Sequence, residues 1–108
     1  MKILIISGTP HKKGTCALLV EKFIEGVKEN NHEVNVFEGG FKKVHACIGC
    51  EKCERGVNPC VFNDDMNELY PLLFNADMVV FVTPLYYLGM SAQLKTVIDR
   101  FHAVNDII

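Results

Sequence analysis

The residues best able to do chemistry are concentrated in one stretch, CIGCEKCERGVNPC, where Cys47, Cys50, Cys53 and Cys60 bring four thiols into fourteen residues. Three thiols at x2 spacing form a tight nest suited to three irons of one cubane, with a fourth arriving from slightly further along. Zinc sites favour two separated pairs, whereas this stretch offers a triple and a single. Packing alone is a third reading, because a reduced cysteine behaves as a small hydrophobe. Spacing therefore leaves cluster, zinc and free thiols open. Cys16 stands outside the nest and is not expected to be a ligand.

A second candidate is the loop SGTPHKKGTC, which lies between an apolar run and a helical pattern. A strand, a glycine-bearing loop and a helix start leave backbone amides and a helix dipole facing outward, which favours an anion. Thr9 and Thr15 add hydroxyls, and His11, Lys12 and Lys13 add further donors. The pattern is neither GxGxxG nor GxxxxGK[ST], so an ordinary strand-to-helix turn fits it equally well. A third candidate is TPLYYLGMSAQLK, whose Tyr86 and Tyr87 suit the face of a flat heterocycle, or else a core plug or subunit contact. No Ser-His-Asp set or carboxylate pair is readable, the four histidines are scattered, and no catalytic side chain is expected. Asp64 and Asp65 read as helix caps.

The elements that must position these residues follow from periodicity. KILIIS is a continuous apolar run, the pattern of a strand buried on both faces of a parallel sheet. From Cys16, the residues Leu19, Val20, Phe23 and Val27 recur at helical spacing up to ENNH. EVNVF predicts a short strand, at an edge or half buried. DDMNELYPLLFN predicts a short helix with Asp65 and Glu68 in capping-box spacing and Pro71 set to shorten or kink it. DMVVFVT predicts a second buried strand, and Ser91 caps a last helix with Leu94, Val97, Ile98 and Phe101 on its apolar stripe. The order β-α-β-loop-α-β-α implies crossovers onto a parallel sheet. Three strands make a poor sheet, so the far edge of MVVFV calls for another subunit or a longer chain.

Bulk properties exclude several classes. The 108 residues suit one domain, 1–108, and 49% apolar with 22% charged residues is ordinary globular composition. A formal charge of -2 without a Lys/Arg block argues against a nucleic-acid surface. MKILIIS is too short for a signal peptide, and no run is long enough to span a bilayer, so the expected compartment is the cytoplasm. Thiols there stay reduced, which disfavours disulfides.

KILIISGTPHKKGT, CIGCEKC and TPLYYLGMSAQLKTVIDRF together resemble the flavodoxin-like NAD(P)H-dependent FMN reductases, and most closely their iron-sulfur flavoprotein branch. The likeness runs along essentially the whole chain, in order. It implies a flavodoxin-like three-layer α/β parallel sheet, of which the N-terminal βαβαβα portion is present. It also implies that Gly8, Thr9, Pro10, His11, Gly14, Thr15 and Cys16 cradle the FMN phosphate. His11 replaces the usual arginine, Thr15 an asparagine and Cys16 a hydroxyl residue, which implies a weaker grip on phosphate. Pro84, Leu85, Tyr86, Tyr87 and Gly89 would line the isoalloxazine ring. Cys47, Cys50, Cys53 and Cys60 would ligate a [4Fe-4S] cluster. The activity implied is electron transfer between NAD(P)H or a reduced ferredoxin-type carrier and an acceptor, in a homodimer or homotetramer. Against it stand a zinc-stabilised or thiol-rich binding module, and a shortened chain with an incomplete flavin pocket.

Overall fold

The apolar run at the N-terminus forms β1 (Lys2–Ser7), in which every residue from Ile3 to Ser7 is buried. It is buried on both faces because it is central. In this computed structural model, which describes residues 1–54 and 59–105, the strand order is β2-β1-β3, with β2 at Glu33–Glu38 and β3 at Met78–Val82. Both neighbours run parallel to β1, with Ile5 opposite Val36 on one side and Val80 on the other.

Alternation along β1 divides the molecule into three layers. Ile3 and Ile5 pack with Val20, Ile24 and Val27 of α1 (Thr15–Glu29). Leu4 and Ile6 face the opposite way, into a larger core built from α2 (Met66–Asn75) and α3 (Ala92–Asp99). Leu69, Tyr70, Leu73, Leu94 and Val97 supply most of it, and a 3-10 segment, Arg100–Val104, closes it with Val104. Each of these aliphatic or aromatic side chains contributes about 1.5–3 kcal/mol on full burial. The flavodoxin-like three-layer arrangement expected from the sequence is therefore present.

Three local expectations need correction. The capping box at Asp65 and Glu68 does not form: Asp65 adopts helical dihedrals and makes no side-chain cap, its carboxylate instead accepting from the Lys43 amide at 2.6 Å. Asp64, one residue earlier, accepts from the Met66 amide at 3.1 Å. Pro71 does not shorten α2, which continues to Asn75, whose side-chain amide donates to the Pro71 carbonyl at 2.9 Å. The last apolar stripe is split, because α3 stops at Asp99 and Phe101 falls in the 3-10 segment.

β3 also departs from its doubly buried pattern. Met78 and Phe81 are exposed, because β3 lies at the edge of the described sheet and has a strand on one side only. Among the described residues, no helix is long and apolar enough to cross a membrane.

Candidate functional site

Because β1 and β3 are parallel neighbours, the loops that follow them emerge side by side at the carboxyl end of the sheet, where open α/β folds bind ligands. Short bonds tie them together. The Gly8 amide donates to the Val82 carbonyl at 2.8 Å, and the Ser91 hydroxyl donates to the Gly8 carbonyl at 2.7 Å. Ser91 Oγ also accepts from the Leu94 amide at 3.2 Å, so one buried hydroxyl caps α3 and anchors the first loop. The Ser91 amide donates to Thr83 Oγ1 at 2.9 Å, which fixes the start of the tyrosine loop.

Two glycines make this approach possible. A Cβ on Gly8 would stand 2.5 Å from Leu94 Cβ and 2.6 Å from Ser91 Oγ. A Cβ on Gly40, in the 3-10 segment Gly39–Phe41, would stand 1.9 Å from the Thr9 carbonyl oxygen. The first loop is thus seated between α3 and the segment after β2.

Within that loop, the His11 amide donates to Thr9 Oγ1 at 3.2 Å, while His11, Lys12, Lys13, Gly14 and Thr15 lie exposed. Gly14 occupies the N-cap of α1 in extended backbone and supplies no side-chain cap. The first-turn amides are therefore left to whatever approaches from outside. Thr9 and Pro10 are half-buried and Gly8 is buried. Cys16 is buried in the first turn of α1, away from the loop surface.

The tyrosine loop ends in a tight turn. Tyr86 and Gly89 exchange both backbone hydrogen bonds, at 2.9 and 3.1 Å, with Tyr87 at φ 43° and Leu88 at φ 68°. Positive φ at both central positions is the type I′ geometry that glycine and asparagine favour. Here it holds a tyrosine and a leucine that are 97% and 88% exposed. Leu85, Tyr86 and Met90 are exposed beside them, while Pro84 is half-buried.

The cysteine segment is positioned by side chains. Cys47, Cys50, Cys53 and Cys60 line one small pocket together with Phe62, Arg100 and His102. The Glu54 amide donates to the Pro59 carbonyl at 2.8 Å, which draws the chain on either side of residues 55–58 together. Burial pushes the Cys53 thiol above its ordinary value even though the residue as a whole is exposed, and Cys60 and Cys50 push it the same way. Among the described residues, no three His, Cys, Asp or Glu side chains gather as ligands of a single metal ion. The four thiols share a pocket without converging on one point.

Arg100, 1% exposed, fixes this segment to the core. Its guanidinium pairs with both Asp64 oxygens, at 2.7 and 3.2 Å, and donates to the His45 carbonyl at 2.8 Å. Asp64 Oδ2 also accepts from the His45 amide at 2.8 Å. The Phe62 ring stacks on His45 at 3.9 Å, with the guanidinium 5.2 Å from its centroid. Burial alone would push the Asp64 carboxyl up. Arg100 and the His45 and Met66 amides outweigh it and hold the group below the usual carboxylate range. Sequence reading assigned Asp64 only to capping, because its partner lies 36 residues away.

Comparison with known proteins accords with this geometry. The family model for NADPH-dependent FMN reductase matches residues 1–106. The chain belongs to that family. Relatives include an iron-sulfur flavoprotein of Methanocaldococcus jannaschii, 38% identical over 104 residues, covering 96% of this chain and 52% of the relative. One from Archaeoglobus fulgidus is 36% identical over 100 residues, covering 93% and 45%. One from Methanosarcina thermophila is 35% identical over 100 residues, covering 93% and 52%. The chain spans about half the length of these curated relatives. Among solved structures, RosB carrying bound 8-demethyl-8-formylriboflavin-5'-phosphate superposes with a TM-score of 0.79 at 14% identity, covering 94% of this chain and 42% of that one. That likeness is one of fold.

Proposed function

We propose that this chain carries the FMN-binding part of an electron-transfer oxidoreductase that moves electrons between NAD(P)H, or a reduced ferredoxin-type carrier, and an acceptor. The observation that carries the reading is the crevice built by the Gly8, Ser91 and Val82 bonds within a chain of the FMN reductase family. The residues present fit the flavin mononucleotide. An uncapped helix start, a loop seated by glycines that leave no room for a Cβ, and two exposed tyrosines on the adjoining loop match its phosphate and its flat ring.

Of Gly8, Thr9, Pro10, His11, Gly14, Thr15 and Cys16, the residues Thr9, Gly14, Thr15 and Cys16 would hold the phosphate chiefly through backbone amides, aided by the Thr9 and Thr15 hydroxyls. Gly8, Pro10 and His11 would shape the loop, since the Gly8 and His11 amides are already bonded and Pro10 has none. Cys16 would contribute its amide, since its side chain is buried. Pro84, Leu85, Tyr86, Tyr87 and Gly89 would shield one side of the ring from water and fix its orientation. When bound, the flavin accepts a hydride and releases electrons singly, and the protein's part is to bind, orient and tune it. Cys47, Cys50, Cys53 and Cys60 would hold a [4Fe-4S] cluster as an onward relay. The soft thiolate donor set and the shared pocket support this assignment, and ligands of a cubane need not converge on a single ion because each binds a different iron. A homo-oligomer in the cytoplasm is part of the same reading.

The test is titration of the chain with FMN, followed by flavin fluorescence, beside a visible spectrum and iron content of anaerobically purified protein. Saturable binding that Gly8→Val abolishes, with about four irons per chain, is the expected result. A colourless protein that carries zinc and ignores FMN would overturn the reading.

A further inference from the structure

Arg100 has more hydrogen-bonding capacity than the fold uses. One terminal nitrogen serves Asp64 and the His45 carbonyl, and the other serves Asp64. The Nε atom is buried and has no partner among the described residues. A guanidinium carries five donors and no acceptor, so a buried Nε–H left unmet costs free energy until something accepts from it. Arg100 is also part of the wall of the pocket that Cys47, Cys50, Cys53 and Cys60 line. Its orientation is held by the Asp64 fork, the His45 carbonyl and the Phe62 ring. The side chain cannot turn elsewhere to satisfy the donor.

We propose that Arg100 is a ligand-sphere donor for the sulfur-based group held by the four cysteines, its Nε–H donating to a cysteinyl or inorganic sulfur. The inference rests on the cluster reading above and adds to it a residue that is not a metal ligand. Hydrogen bonds and positive charge directed at cluster sulfur favour the reduced, more negative state and raise the reduction potential. Arg100 thereby couples the potential of the cysteine pocket to the ion pair that fastens this segment to α2 and α3.

The experiment is anaerobic reconstitution of the wild-type chain, R100K and R100Q with ferrous iron and sulfide. Iron per chain, thermal melting and the midpoint potential are then measured on each. The wild type is expected to load. R100K, which keeps the charge but lacks the planar fork, is expected to load with a more negative midpoint, and R100Q with a still more negative midpoint or reduced iron. The reduced protein labelled with 15N-arginine is expected to show a 15N coupling in pulsed EPR that persists in R55K and is lost in R100K, which separates Arg100 from Arg55, the other arginine of the chain. A wild type that takes up no iron overturns the cluster reading and this inference together. A wild type that loads but shows no 15N coupling, or variants that melt lower yet load with the wild-type midpoint, overturns this inference alone and leaves Arg100 a structural residue.

Discussion

The crevice at the carboxyl end of the sheet and the cysteine segment are held in place by different means. The first is positioned by main chain: β1 and β3 fix its two loops in register, and Gly8 and Gly40 let backbones approach within distances a Cβ forbids. The second hangs on side chains, above all the Arg100–Asp64 pair and the Phe62 ring between His45 and Arg100. A site fixed by backbone tolerates many side-chain changes and few changes of glycine. A site fixed by one buried ion pair shows the opposite sensitivity.

The sharpest way to break this contrast is Asp64→Ala. It strands a buried guanidinium, and losing one partner of such a pair costs about 3–5 kcal/mol. Urea unfolding should show that loss, and under the proposed cluster reading iron uptake on anaerobic reconstitution should fall with it. Gly40→Ala comes next. The clash is with the Thr9 main chain, which cannot rotate away as a side chain would, so about 3 kcal/mol is expected, with loss of FMN binding in a fluorescence titration. Ser91→Ala removes the α3 cap and the tie to Gly8 together, for about 1–2 kcal/mol by denaturant unfolding.

Acid tests the side-chain half specifically. The folded-state pKa of Asp64 is depressed, so its contribution is complete above the unfolded carboxylate value of about 3.9 and is lost as pH falls through the lower folded value. Melting followed between pH 6 and pH 2 should therefore show wild-type stability falling more steeply than that of Asp64→Asn below about pH 4. The smallest effect has the opposite sign. Leu88→Gly relieves a positive φ and should stabilise the chain by about 0.5–1 kcal/mol. Tyr87→Gly should do the same while weakening FMN binding, which separates the turn's strain from its use.

Much of this could be read directly along the chain. KILIIS declared itself a doubly buried strand, the stretch after Cys16 a helix, and Ser91 a cap, because each signal is local and periodic. Of the expected helical stripe, however, Leu19 and Phe23 are exposed, and Ile24 takes their place beside Val20 and Val27. Asp65 and Glu68 misled, because capping-box spacing is a local pattern and Asp65 is drawn off to the Lys43 amide 22 residues away. Pro71 leaves α2 its full length for a related reason: the packing of Leu69, Tyr70 and Leu73 in the core holds the helix together across it.

By itself the sequence determined the succession of strands and helices, the two loops that follow β1 and β3, and the grouping of four thiols. Hydrophobic period and residue spacing carry that information within a few residues of where it acts. Only the tertiary structure decided that Gly40 is a contact of the first loop, that Ser91 joins the two loops, and that Arg100 stands against the cysteine pocket with a donor to spare. Those facts depend on atoms brought together from 31 to 83 positions apart, as in the Ser91–Gly8 bond, and no local pattern records them.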